Sequence, residues 1–259
     1  MAKSVKNGYC HICGSYGKLS FEHVPPESAF NDQKVVTPDV KKVFELTNLD
    51  DLSSLSGKQS QRGQGGYTLC GSCNSLTGHW YGANYVTWVF QGAAYLARSN
   101  GFLQLSYPYH LLPLRVIKQI VCMFFSANSS GFREVHPVLE RFVLNKEAKY
   151  LPPDIHVYVG YLLSNRSRSA GMTSSIHFDE NSGTSHLRTY SEISFPPFSY
   201  ILSVNSPPPE HPMLDISFFA QYGYDEFITL QLPIPVLSVY TPFPGDFRSR
   251  ETVLRESVK

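Results

Sequence analysis

Two cysteine pairs carry the most specific chemistry in this sequence. Cys10-His11-Ile12-Cys13 and Cys70-Gly71-Ser72-Cys73 each set two thiols three positions apart. That spacing lets both sulfurs of a pair reach one ion, and two such knuckles complete a tetrahedral shell of four thiolates. The set reads as a structural zinc site, since a closed shell leaves no position at which water could be activated. The competing reading is two unmetallated thiol pairs; a redox role fits less well, because neither pair sits in a βαβ pattern. Between the pairs lies Glu22-His23, and Asn74 follows the second pair directly. Phosphodiester hydrolysis needs a base for the attacking water and a hard divalent ion to hold charge on the phosphate. A histidine beside a carboxylate offers both kinds of group, although the dipeptide by itself is weak evidence.

Position gives the dipeptide its weight. The order Cys-x-x-Cys, then Leu-Ser-Phe-Glu-His-Val-Pro-Pro, then Tyr-Thr-Leu-Cys-Gly-Ser-Cys-Asn-Ser-Leu-Thr-Gly resembles the zinc-knuckle branch of the HNH endonucleases. The resemblance spans residues 9 to about 82, roughly a third of the chain. It implies an N-terminal ββα-metal, treble-clef-like unit with Cys10, Cys13, Cys70 and Cys73 on a structural Zn2+. It further implies that Glu22 and Asn74 hold a catalytic Mg2+ or Mn2+ and that His23 deprotonates water. In two places the sequence departs from the family's pattern. Gly65-Gly66-Tyr67 stands where the family has an Asn that orients the base, and Leu76-Thr77-Gly78 stands where a basic residue often follows Cys-Asn. His79 is the candidate to replace that phosphate contact, with Lys58 and Arg62 as further candidates.

The implied activity is a divalent-metal-dependent endonuclease acting on nucleic acid, DNA first, in the setting of phage defence or mobile-element biology. The alternative is a catalytically inactive zinc module that binds nucleic acid or protein. Gly65-Gly66 and the formal charge of only +1 favour it. A third reading makes the C-terminal sheet a small-molecule sensor that gates the nuclease, although no pattern in residues 150–259 singles out a ligand.

The elements that must position these groups follow from the hydrophobic pattern. Leu19 to Val24 alternates as a short strand and Pro25-Pro26 ends it. Tyr67 to Leu69 is the second strand, and Asn74 opens a helix that Gly78 and Gly82 interrupt. Residues 27–66 form an insertion, with one short helix within Lys34–Leu55 and a flexible, weakly basic loop from Gly57 to Gly66. Residues 1–84 would then be the metal domain and 85–259 an α+β domain. Its helices fall at 85–98, 111–127 and 135–149, with Pro113 in the first turn of the second. After Pro152-Pro153, period-two patterns at 155–163, 176–178, 187–195, 200–204, 214–220 and 227–232 predict an antiparallel sheet over 154–240. The Asn181-Ser182-Gly183 turn separates two of these strands. The polar tail from Gly245 is expected to fray.

Composition narrows the class. Apolar residues make up 42% and charged residues 17%, a globular balance. With a net charge of +1, any nucleic-acid binding must come from a local basic patch. Aromatic residues reach 14%, read chiefly as core and sheet faces and secondarily as base-stacking rings. Residues 1–9 have no signal-peptide pattern and no membrane-length apolar run occurs, so a cytoplasmic chain with reduced thiols and no membrane partner is expected. Of the remaining thiol and imidazoles, Cys122 reads as an inert core thiol and His11 as exposed on its knuckle. His110, His136, His156, His177, His186 and His211 read as structural or surface groups. The α+β remainder is expected to bind substrate, form a homo-oligomer or sense a signal.

Overall fold

The computed structural model describes residues 5–46, 48–179 and 183–256. Strand β1 (Asn7–Tyr9) leads through the first cysteine knuckle into β2 (Tyr16–His23). The knuckle closes by Gly14 N–H donating to Cys10 O at 2.9 Å and Cys10 N–H donating to Ser15 O at 2.9 Å. Gly14 adopts φ +70, a left-handed conformation that favours glycine.

The insertion is more ordered than its composition predicts. Strand β3 (Val35–Pro38), helix α1 (Val40–Phe44) and a 3-10 turn (Leu49–Ser54) precede β4 (Gly57–Ser60). Strands β3 and β4 pair antiparallel from Val35↔Ser60 to Pro38↔Gly57, so the expected flexible loop begins as a strand. Side-chain caps stabilise the short helices: Asp39 accepts from Lys41 N–H at 2.9 Å and Asn48 from Asp50 N–H at 3.0 Å.

Strand β5 (Gly65–Cys70) pairs antiparallel with β2, from Leu19↔Cys70 to His23↔Gly65, with a register shift between Ser20 and Phe21. Helix α2 (Gly71–Thr77) follows at once. Gly78 and Gly82 do not interrupt the helix as expected; they bound a π-helical turn that leads straight into α3 (Ala83–Leu96). Residue 84, the boundary drawn from the sequence, lies inside this helical run. One core cluster continues from Cys10, Ile12 and Leu69 through α3 to Leu232 and Ile234.

Beyond α3 the chain forms β6 (Gln104–Leu111), α4 (Pro113–Ala127), α5 (Phe132–Val135) and α6 (Pro137–Leu144). Strand β6 lies where only helices were expected. It pairs with one neighbour at the sheet edge, which is why Pro108, lacking an N–H, is tolerated within it. The helix expected over 135–149 is two pieces, restarted by Pro137. Next come β7 (Ile155–Leu162), β8 (Arg168–Asp179), β9 (Thr184–Phe195), β10 (Phe198–Val204), the short β11 (Leu214–Asp215) and β12 (Ile228–Leu237). The strand expected over 214–220 is therefore only its first two residues, and Ser217–Gln221 is a 3-10 turn.

The large sheet runs β6-β12-β7-β10-β9-β8, with β11 also on β7. It is antiparallel except where β12 meets β7 in parallel at Val236↔Tyr161 and Leu237↔Leu162. Strand β12 carries Pro233 and Pro235, which pair only with β6, so no second ladder is broken. The tail forms α7 (Arg250–Glu256), anchored to the insertion by Arg250 Nη2 on Asp50 Oδ2 at 2.6 Å. Residues 181 and 182 of the predicted turn lie outside the described residues, as does the His177 side chain.

Helix α4 is the centre of the molecule. Its sequence promises one apolar face, yet nearly every residue from Pro113 to Phe125 is buried. It packs against the π turn, α3, α6, the 3-10 turn at 217–221 and strands β5, β8 and β9. Burial on all sides makes an unpaired charge costly, and Lys118 finds partners. Lys118 Nζ donates to Phe142 O at 2.5 Å and Asn145 O at 2.6 Å, the carbonyl end of α6. Desolvation pulls the Lys118 pKa down to about 8. Buried rings fill the space between α3 and the sheet: Trp88 stacks on Phe198 at 4.8 Å and its Nε1–H donates to Tyr200 OH at 2.9 Å. No helix among the described residues is long and apolar enough to cross a membrane.

Candidate functional site

The hairpin β2–β5 and helix α2 bring the four paired cysteines together. Their sulfurs all lie within 4.8 Å of one another. Sulfurs ~2.3 Å from a tetrahedral zinc stand ~3.8 Å apart, and Cys13 Sγ and Cys70 Sγ are 3.8 Å apart. Cys10 and Cys73 are buried, Cys13 and Cys70 half-buried, and all four are free thiols. A hydrogen bond from Cys73 holds the Cys10 thiol well below its ordinary range, and the same contact pushes Cys73 up. Four crowded thiols cannot all ionise without a cation among them, so the donor set fits a metal such as zinc.

His11 is a correction to the sequence reading. It is half-buried, its Nδ1 is 3.1 Å from Phe125 O, and its backbone N–H donates to Thr68 O at 2.9 Å. The first knuckle is thereby fastened to α4, and Thr68 Oγ1 donating to Ser126 Oγ at 3.0 Å repeats the link from β5. Cys122 is buried as expected. Among the other histidines, His110 Nδ1 meets Thr229 Oγ1 at 2.8 Å and His156 Nδ1 meets Asp215 Oδ2 at 2.8 Å.

On the same hairpin, Glu22, His23 and Asn74 line one cleft of about 400 Å³ together with Gly78, Gly82 and Gln119. Asn74 Nδ2 donates to Ser20 Oγ at 3.1 Å and Phe21 O at 3.3 Å. That pins α2 to β2 and leaves the amide oxygen as the atom through which Asn74 could act. His23 packs edge-on against Phe21 with ring centroids 4.9 Å apart, and its buried Nε2 has no hydrogen-bond partner among the described residues. The buried Gln119 Oε1 is equally without a partner there. Burial pushes the Glu22 carboxyl up to about 7. Three polar groups in one cleft are thus desolvated and uncompensated by protein, a cost a fold bears where something else is to be bound.

The remaining candidates separate. Arg62 does not line the cleft, but its guanidinium carbon lies 5.9 Å from the ring centroid of Phe21, which does. His79 is exposed and does not line the cleft. Lys58 lies on β4 and lines a different depression, with Thr37 and Lys42.

No family model, no curated protein and no solved structure matches this chain.

Two residues at the site escaped the sequence reading. Gln119 had a faint signal, being one of two adjacent polar residues inside an otherwise apolar helix. Asn31 had none, because an asparagine in a polar insertion reads as a loop residue. It is fully buried. Its Nδ2 donates to Pro25 O at 2.6 Å and Gln64 O at 2.7 Å, and its Oδ1 accepts from Gln64 N–H at 2.7 Å. These bonds tie the turn that follows His23 to the residue that precedes β5. At Gly65, opposite His23, an added Cβ would lie 2.1 Å from the Glu22 carbonyl oxygen. The two strands approach too closely there for any side chain.

Proposed function

We propose that this protein is a divalent-metal-dependent endonuclease of the HNH type, with a structural zinc in the cysteine cluster and its reaction centre in the cleft beside it. The observation that carries the reading is the convergence on one cleft of Glu22, His23 and Asn74, with His23 Nε2 buried and without a hydrogen-bond partner among the described residues. The fourfold thiol cluster supports the zinc assignment. The β2–β5 hairpin followed by α2 is compatible with a ββα-metal unit.

In this reading the reaction divides among the chain's own groups. His23 Nε2 takes the proton of the attacking water, since no donor among the described residues occupies that nitrogen. The Glu22 carboxylate and the Asn74 amide oxygen are the groups that would hold the divalent ion. A Mg2+ or Mn2+ ion bound there would stabilise the charge developing on the phosphate and the leaving 3′ oxygen. Arg62, beside Phe21, would meet a phosphate of the substrate backbone. Asn31 supplies the loop fixation that the family places in the residue replaced here by Gly65-Gly66. A cation beside Glu22 favours its ionised form, so ion binding offsets the desolvation that raises its pKa.

The experiment is nicking of supercoiled plasmid, and cleavage of single-stranded DNA and RNA, with Mg2+ or Mn2+. Wild type is compared with His23→Ala and Asn74→Ala at equal zinc content. Cleavage by wild type that both variants lose supports the reading. If the wild type cleaves none of these substrates, the second reading stands: a zinc module that binds nucleic acid or protein without hydrolysis, which the Gly65-Gly66 departure favours.

A further inference from the structure

A cavity of about 480 Å³ lies where the insertion meets the rim of the large sheet. This volume falls within the range of small-molecule sites. One wall comes from the insertion, with Val35, Val43, Leu52 and Leu55; the other comes from the β9–β10 turn and the chain after β12, with Phe195 and Val239. Apolar side chains thus stand on both sides, and the segments that line the cavity lie far apart in sequence.

Its charged lining has one sign. Lys34, Arg166 and Arg168 border the cavity, and among the described residues no carboxylate does. Two carboxylates close to these cations are already engaged: Glu192 pairs with Arg168, and Asp50 of the insertion is gripped by Arg250 at 2.6 Å. The Arg166 guanidinium donates to the Tyr240 carbonyl at 3.4 Å and makes no close ion pair among the described residues. Arg168 is more than nine-tenths buried. Its Nε donates to Glu192 at 2.7 Å and its Nη1 to the carbonyls of Thr241 and Asp246, both at 3.0 Å. Its buried Nη2 has no hydrogen-bond partner among the described residues. A buried donor left unmet costs free energy that a bound acceptor would return. A contrasting cavity of about 430 Å³ has Arg188 and Arg248 on its wall, but Glu210, Asp246 and Glu256 line it too and pair with them.

We infer that the cavity between insertion and sheet is a binding site for a small amphipathic anion. Its apolar body would lie against Val43, Leu52 and Phe195, and its carboxylate or phosphate head would take the Arg168 Nη2 donor and the charges of Arg166 and Lys34. The site does not depend on the nuclease reading, because none of its groups lines the cleft of Glu22 and His23.

The test uses the full-length, zinc-loaded protein and wild-type binding first. Octanoate and octyl phosphate are titrated by calorimetry beside 1-octanol and octylammonium, which share the body and change the head. At least one of the two anions is expected to bind with submillimolar Kd, at least tenfold tighter than 1-octanol, with octylammonium silent; the tighter anion names the head group. Arg166→Gln with Lys34→Gln should weaken the anion at least tenfold, and Leu52→Trp should abolish its binding. Amide exchange over residues 33–55 should slow on binding. Equal affinity for octanoate, octyl phosphate and 1-octanol, an unchanged Kd in the Arg166→Gln/Lys34→Gln protein, or no binding of either anion at 1 mM would overturn the inference.

Discussion

The cysteine cluster and the Glu22–His23 cleft share one hairpin and one helix, yet they are finished in opposite ways. In the cluster every polar atom converges on its fellows: four sulfurs within 4.8 Å form a closed donor set. In the cleft His23 Nε2 and Gln119 Oε1 are buried with no hydrogen-bond partner among the described residues, and burial raises the Glu22 pKa. A closed donor set stabilises a fold, because metal affinity then becomes folding free energy. An open set costs stability and is retained where a ligand is to be met.

If that contrast holds, the largest effects belong to the cluster. One zinc per chain should be measured by elemental analysis, and Cys10→Ser or Cys73→Ser should give unfolded or insoluble protein, a loss of about 10 kcal/mol. A zinc-free preparation with unchanged circular dichroism would break the comparison at its first member. His23→Ala should do the reverse. Cleavage should fall on the order of 100- to 10,000-fold, while zinc content and melting temperature hold, since the removed ring had an unsatisfied nitrogen.

Asn31→Ala sharpens the line between the two regions. It strips three hydrogen bonds from buried or half-buried backbone groups, a cost of about 2–4 kcal/mol in urea unfolding. It should leave the zinc in place. Next comes pH. Because the folded Glu22 carboxyl titrates at about 7 against 4.5 for the ordinary group, the unfolded chain sheds its proton first as pH rises. Relative to Glu22→Gln, the wild type without divalent ion should lose stability between about pH 4.5 and 7 and then level off. The difference is on the order of 3 kcal/mol, and Mn2+ at pH 8 should restore part of it. An identical pH profile in the two proteins would mean that Glu22 is not desolvated. The smallest effect is expected from Arg62→Ala: cleavage reduced a few-fold and the salt dependence of nucleic-acid binding shallower by about one ion.

What the sequence could reveal follows from how local each interaction is. The four cysteines were legible because metal chemistry fixes their spacing within each pair. The strand holding Glu22 and His23 and the helix opening near Asn74 were legible from short-range periodicity. Strand β6 was not, because Pro108 argues against a strand unless the reader knows that it lies on an edge. The order in the insertion was hidden because β3 and β4 pair across a gap that no period spans. Lys118 and Gln119 lie outside the apolar face that Val116, Ile117, Ile120, Val121 and Phe124 make on α4; their burial comes from neighbours lying as far along the chain as β9. The same reason hid Asn31, whose role exists only once Pro25 and Gln64 are side by side.

The attachment of the first knuckle to α4 bears on how the molecule can be taken apart. His11 reaches Phe125, Thr68 reaches Ser126, and Gln119 of α4 lines the cleft. The first 84 residues are therefore not a cassette. Grafted onto another protein they would carry the thiols and the Glu-His pair, but Ile12 and Leu69 would lose the core they now share with that helix. A minimal fragment that keeps the cleft must extend at least through Ala127, and a partner for the far side of α4 must come with it.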